Sequence, residues 1–208
     1  VQTEAQIRQL LLIHTPANAV DYCAALWLHY PFYLKLAGSR TTKAGDFAVK
    51  NNRMVVTVNR DLNPFLFVVT LIHEIAHVRV YQQYGHTCTP HGREWKLAFG
   101  QLMAPLLHAG CFPPDLSILL HRHLQNPAAS SFSDLPLTRC FRKYDTKPDG
   151  LVPLADVPAN SLFRLQRRWF VKGPARRTRF ACRCVRSMRI YLVPGQALVF
   201  VAQTPLFI

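Results

Sequence analysis

Four of the chain's nine histidines fall within residues 70–95, TLIHEIAHVRVYQQYGHTCTPHGREW, and two of them bracket a glutamate as His73-Glu74-Ile75-Ala76-His77. Residues four apart on a helix share a face about one turn apart, so His73 and His77 can present two imidazole nitrogens to one ion. Glu74 lies one residue further round, poorly placed as a ligand and well placed to meet a water beside the ion. Two ligands, one base and an open coordination position are what a hydrolytic zinc site requires.

Such a site needs a third ligand. His91, in Pro90-His91-Gly92-Arg93-Glu94-Trp95, stands in a break followed by a helix start and is the favoured residue. Glu94 on the following helix, and His86 and Cys88 just past the end of the first, are the alternatives. A metzincin would need HExxHxxGxxH, and this chain has Val80 and Gln83 where the Gly and last His belong, which excludes that class. The oxyanion formed in hydrolysis also needs a donor, for which Tyr81, Tyr84 and Arg93 are candidates.

The elements that must hold these residues are legible from periodicity. Asn63-Pro64 starts a long helix whose apolar residues Phe65, Val68, Val69, Ile72, Ile75, Ala76 and Val80 mark a broad buried face as far as Gly85. Before it, residues 4–14 and 16–30 read as two helices, the second opened by Thr15 and Pro16. A strand is expected at 32–36 and a hairpin at 47–49 and 54–58 around Lys50-Asn51-Asn52. Helices follow at 91–107 and 114–124, with Trp95, Phe99 and Met103 at core spacing. Residues 126–136, rich in Ser, Pro and Ala, read as a linker. Beyond them come short β-prone runs at 161–165, 169–171, 179–185, 189–193 and 197–201.

A chain of 208 residues, half of them apolar, can bury a substantial core and is not compositionally disordered. No apolar run reaches the roughly 18 residues of a membrane span, and no signal peptide is apparent at Val1-Gln2-Thr3-Glu4, so a cytoplasmic protein without membrane contact is expected. The six cysteines are too sparse for a disulfide framework and read as reduced thiols.

Charge is unevenly spread: residues 139–189 hold 14 Lys/Arg against three Asp, a net +11 of the total +14. That concentration points to a polyanionic partner, with DNA contact through Arg167, Arg168, Lys172, Arg176, Arg177 and Arg179 and little base preference. A solvated basic face serving only solubility is the bland alternative.

HEIAHVRVYQQYG followed by PHGREWKLAFGQLM resembles the SprT family of zinc metalloproteases, which have HExxH on one helix and a histidine in HGxxW or HGxxF at the start of the next. Ser39–Gly45 also resembles the family's basic, Gly-ended segment between strands. The resemblance covers about residues 1–125 and implies His73, His77 and His91 as ligands of one Zn2+ per chain, Glu74 as catalytic residue, and kinship with the Spartan proteases that cleave proteins crosslinked to DNA. The expected fold is α+β: a zincin-like metalloprotease domain at 1–125 with the HExxH helix packed on a small β-sheet, a linker at 126–136, and a small basic β-domain at 137–208. Bacterial relatives often carry a C-terminal zinc ribbon, but only Cys182-Arg183-Cys184 forms a close pair here and no CxxC follows, so no intact ribbon is expected.

The expected activity is zinc-dependent hydrolysis of peptide bonds, with DNA-associated proteins as substrates. A nucleic-acid-binding module with a structural or inactive metal site, and a zinc hydrolase of a non-peptide bond, are the alternatives.

Overall fold

A computed structural model describes residues 2–38, 40, 43–128, 134–145 and 151–202. Of the Ser39–Gly45 segment, residues 39, 41 and 42 lie outside the described residues, as do 129–133 of the expected linker. The chain divides into two compact units, Val1–Asp145 and Thr146–Ile208, and mixes helices with sheets.

The first unit is built around one helix. Helices α1 (Glu4–His14) and α2 (Val20–His29) precede strands β1 (Tyr33–Ala37), β2 (Gly45–Lys50) and β3 (Arg53–Asn59), and then come α3 (Pro64–Tyr84), α4 (Arg93–His108), α5 (Pro114–Leu124) and α6 (Leu135–Arg142). Thr15, expected to open α2, instead caps the end of α1, with its hydroxyl bonded to the Leu11 carbonyl. A 3-10 turn at Ala17–Ala19 then intervenes.

The three strands lie in the order β1-β3-β2, with β1 parallel and β2 antiparallel to β3. Asn51 and Asn52, both at positive φ, form the two-residue turn between Lys50 and Arg53, the geometry that suits the twist of a hairpin. Buried Asn59 ties down the chain entering β2: its side-chain N–H2 donates to the carbonyls of Arg40 and Lys43, and its Oδ1 accepts from Arg40 Nε at 2.7 Å.

Helix α3 opens on Asn63, whose side chain caps the Leu66 N–H, with Pro64 in the first turn, and it ends at Gly85, φ 62°. From Leu66 to Ile72 every residue is buried, so this half is enclosed on all sides rather than along one face. By length and composition the helix could cross a membrane, but 67% of its apolar window is buried inside the unit, and packing accounts for its apolarity.

Helix α6 is a departure from the sequence reading, which placed residues 126–136 in a linker and began a second domain at 137. Asp134 caps it and Pro136 stands in its first turn. Leu137, Cys140 and Phe141 enter the core of the first unit. Asn63 Nδ2 donates to the Phe141 carbonyl and to Asp145, and Asp115 accepts hydrogen bonds from Cys140, Lys143 and Tyr144. The division therefore falls after Asp145.

The second unit has its own core of Leu154, Val157, Phe163, Phe170, Cys182, Cys184, Val193 and Val199. Its strands are β4 (Leu151–Pro153), β5 (Leu162–Leu165), β6 (Arg168–Val171), β7 (Ala175–Arg176), β8 (Arg179–Cys184), β9 (Ile190–Pro194) and β10 (Leu198–Val201). They lie in the order β4-β10-β5-β6-β8-β7, with β9 also paired to β8.

Candidate metal centre

Three imidazoles converge at the C-terminal half of α3. The Nε2 of His91 lies 3.1 Å from that of His73 and 3.0 Å from that of His77. Three nitrogens about 2.0–2.1 Å from a tetrahedral zinc would be roughly 3.3 Å apart, so only a small motion separates this arrangement from a ligand set. Among the described residues these three form the one group of His, Cys, Asp or Glu able to hold a metal ion. His86 and Cys88 line the same cleft without joining the group, and Glu94 lines a different groove.

Local structure explains the convergence. His73 and His77 are one helical turn apart. His91 comes from the break between α3 and α4, held at φ +58°, a left-handed conformation that costs energy for a side chain with Cβ and persists only where its surroundings fix it. Gly92 follows, with its N–H bonded to the Thr89 carbonyl at 2.9 Å, and a Cβ there would stand 2.9 Å from that same oxygen.

Trp95, read from sequence as core, is also the floor of the site. It is buried, its ring lies 4.5, 5.3 and 4.7 Å from those of His73, His77 and His91, and its indole N–H donates to the His73 carbonyl. The signal that could have found it is its place in the first turn of the helix that follows His91.

The histidines are disposed to be neutral. Burial, reinforced by the neighbouring imidazoles, pushes His73 down to about 3 and His77 to about 4, and burial lowers His91 as well. A neutral imidazole is the form that binds a metal.

Glu74 is 5% exposed and its carboxyl is pushed up to about 8, chiefly by burial and then by Asp46; Lys43, Arg40 and a hydrogen bond from the Phe47 N–H act the other way. Strand β2 holds it in place. A Cβ on Gly45 would lie 2.5 Å from Glu74 Oε1 and 2.6 Å from Thr70 Cγ2, so only glycine leaves room for the carboxylate. The sequence marks Gly45 only as the end of the Ser39–Gly45 segment and does not single out Phe47, because nothing local marks which strand will cross this helix.

The cleft has a volume of about 540 Å3, and the triad, Glu74, Phe47, Tyr81 and Trp95 are among its walls. Strand β2, which lines it from Gly45 to Val49, pairs only with β3 among the described residues, so its other edge faces the cleft.

The residues expected to meet DNA are not brought together. Lys172 is buried, with Nζ donating to the carbonyls of Ala155 and Val157 and lying 4.0 Å from the centre of the Phe180 ring; its charge is used internally and is not available to phosphate. The five arginines are exposed. Arg167 is in the turn between Leu165 and Arg168, and Arg177 in the turn between Arg176 and Arg179. Pairing of Phe170 with Cys184 and Val171 with Arg183 puts these turns at opposite ends of the sheet, separated by the length of β8, about 17 Å at 3.4 Å per residue. Cys182 and Cys184 are free and buried, and they belong to no metal-binding group among the described residues.

No curated protein and no solved structure matches the chain. Residues 32–112 match the profile of the SprT-like family. That span runs from the start of the three-stranded sheet through the HExxH helix to the end of α4, and includes all three converging histidines. Over this segment, then, the chain is similar to the SprT-like family.

Proposed function

We propose that the protein is a zinc metallopeptidase. The observation that carries this reading is the placement of three neutral imidazoles and a buried carboxyl in one cleft beside an unpaired strand edge. Bound zinc would polarise the scissile carbonyl and acidify the attacking water. His73, His77 and His91 would hold the ion, and a cation there would favour the ionised form of Glu74, which burial together with Asp46 holds protonated to about 8. Glu74 takes the proton of the attacking water and returns it to the leaving amine. Phe47, through its N–H, orients the carboxylate.

The free edge of β2 favours peptide over other hydrolysable substrates. An extended peptide can add to such an edge through main-chain hydrogen bonds, which align its backbone without requiring a particular sequence. The test is metal content and digestion of a peptide library by the parent and Glu74→Gln. The variant should retain one zinc per chain and lose roughly 10²–10⁴-fold in turnover. Near-parental hydrolysis by Glu74→Gln, or a zinc-replete parent that cuts no peptide, would remove the reading in favour of a structural metal site or a different hydrolase.

DNA-associated proteins are the substrate class we favour, supported by nine exposed arginines in the second unit: Arg164, Arg167, Arg168, Arg176, Arg177, Arg179, Arg183, Arg186 and Arg189. Phosphate contacts from two ends of a sheet suit binding without base preference. The free thiols fit a reducing compartment, and we place the protein in the cytoplasm.

A further inference from the structure

Hydrolysis of a peptide bond places negative charge on the carbonyl oxygen, and a fixed donor aimed at that charge is worth far more in a sheltered cleft than in water. Of the three candidate donors in the sequence, Tyr84 and Arg93 line a separate groove between α3 and α4, together with Arg79 and Glu94. Tyr81 lines the cleft that contains the triad.

Tyr81 lies one turn beyond His77 on α3. Long side chains on a helix lean toward its N-terminus, which carries this ring back over the turn that bears His77. The ring is held between two others, 5.7 Å from Phe47 and 5.0 Å edge-on from His86. Phe47 in turn lies parallel to His77 at 6.4 Å. Among the described residues the Tyr81 hydroxyl has no hydrogen-bond partner, so a fixed ring presents an uncommitted donor to the cleft. We propose that Tyr81 is the donor that stabilises the oxyanion, an assignment that rests on the peptidase reading.

The test compares the zinc-loaded parent with Tyr81→Phe, which keeps the ring between Phe47 and His86 and removes only the hydroxyl. The kcat of Tyr81→Phe on a cleaved peptide should fall roughly 10²–10³-fold with KM little changed, and its zinc content should equal the parent's. A phosphonamidate peptide, whose tetrahedral oxygen carries the charge of the transition state, should lose affinity by a similar factor. Affinity for the uncleaved peptide, measured by titration in a Glu74→Gln background, should not move. Tyr84→Phe should behave as the parent.

A Tyr81→Phe protein within threefold of the parent in kcat overturns the assignment, as does equal loss of affinity for phosphonamidate and peptide, which would mark a packing role. So does a loss that appears in His86→Ala and not in Tyr81→Phe. If the parent lacks turnover, the peptidase reading fails separately, and phosphonamidate binding, which needs no turnover, still decides the tyrosine: equal affinity of parent and variant overturns it.

Discussion

Glu74 in the first unit and Lys172 in the second are each 5% exposed, yet the two regions treat a buried charge differently. Around Lys172 the second unit supplies two carbonyls and an aromatic face, a set that satisfies an ammonium and fixes the chain at Ala155–Val157. Around Glu74 the first unit supplies one main-chain N–H, with Asp46 opposing and Lys43 and Arg40 favouring its charge, and leaves the group facing a cleft. A buried charge with its partners in place holds structure, whereas one with too few partners is poised to exchange a proton. The arginine content of one unit and the histidine content of the other thus say less than what surrounds each single residue.

The sharpest test of the difference is metal removal by mutation. His91→Ala deletes the ligand contributed by the α3–α4 break and should weaken zinc binding by two orders of magnitude or more, whereas His86→Ala, outside the converging group, should leave occupancy unchanged by elemental analysis. Equal losses would mean that the cleft binds metal without the proposed geometry.

On the second unit, reversing Arg176, Arg177 and Arg179 to Glu removes the charges at one end of the sheet. Each lost phosphate contact should lower the slope of log affinity against log salt by about 0.9, and cleavage of a small unstructured peptide should persist. Because Arg167 and Arg168 stand at the opposite end, residual binding is expected. Complete loss would show that one end carries the whole interaction.

Lys172→Met keeps the apolar stem but leaves the Ala155 and Val157 carbonyls without a donor. It should cost the second unit about 1–3 kcal/mol in denaturant unfolding, with zinc content and peptide cleavage unaffected. A variant that instead loses DNA affinity at full stability would restore Lys172 as a surface contact.

The smallest effect is on pH. In the metal-free protein His73 and His77 sit near 3 and 4 against an ordinary 6.5, so between about pH 4.5 and 6.5 the unfolded chain binds two protons there that the folded chain does not. Glu74, at about 8 against 4.5, acts in the opposite sense, with the folded chain binding one proton that the unfolded chain lacks. These three groups leave one proton in favour of the unfolded state and His91, also lowered by burial, adds in the same sense, so stability rises with pH to about 6.5, at a slope of about 1.4 kcal/mol per unit or more. Above 6.5 Glu74 alone remains and stability falls toward pH 8. Chemical denaturation of the metal-free protein across pH 4.5–8 should show that maximum, and a monotonic profile would contradict the burial of one partner or the other.

Much of the candidate metal site was legible in the order of residues. Helical spacing is a local property, so His73 and His77 had to share a face of α3, and the Gly92 break marked where His91 could re-enter. The approximate strands of the second unit were equally local, since alternation and turn residues specify them. Helix α6 carries a start signal in Asp134 before Leu135-Pro136, but the Ser and Pro content before it is that of a linker, so composition and capping point in different directions there.

The rest depends on which elements meet, and no periodicity encodes that. Only packing decided that Gly45 and Phe47 of β2 would close over Glu74, and that Phe141 would return to Asn63 across 78 residues. Lys172 turned inward because carbonyls from Ala155 and Val157 awaited it, and antiparallel pairing through β6 and β8 carried the two arginine turns to opposite ends of one sheet. Residue type and spacing determined which groups could do chemistry, because those follow from the geometry of single elements. The protonation of Glu74 and the exposure of each basic residue were left to tertiary structure, because desolvation and hydrogen bonding come from residues distant in sequence.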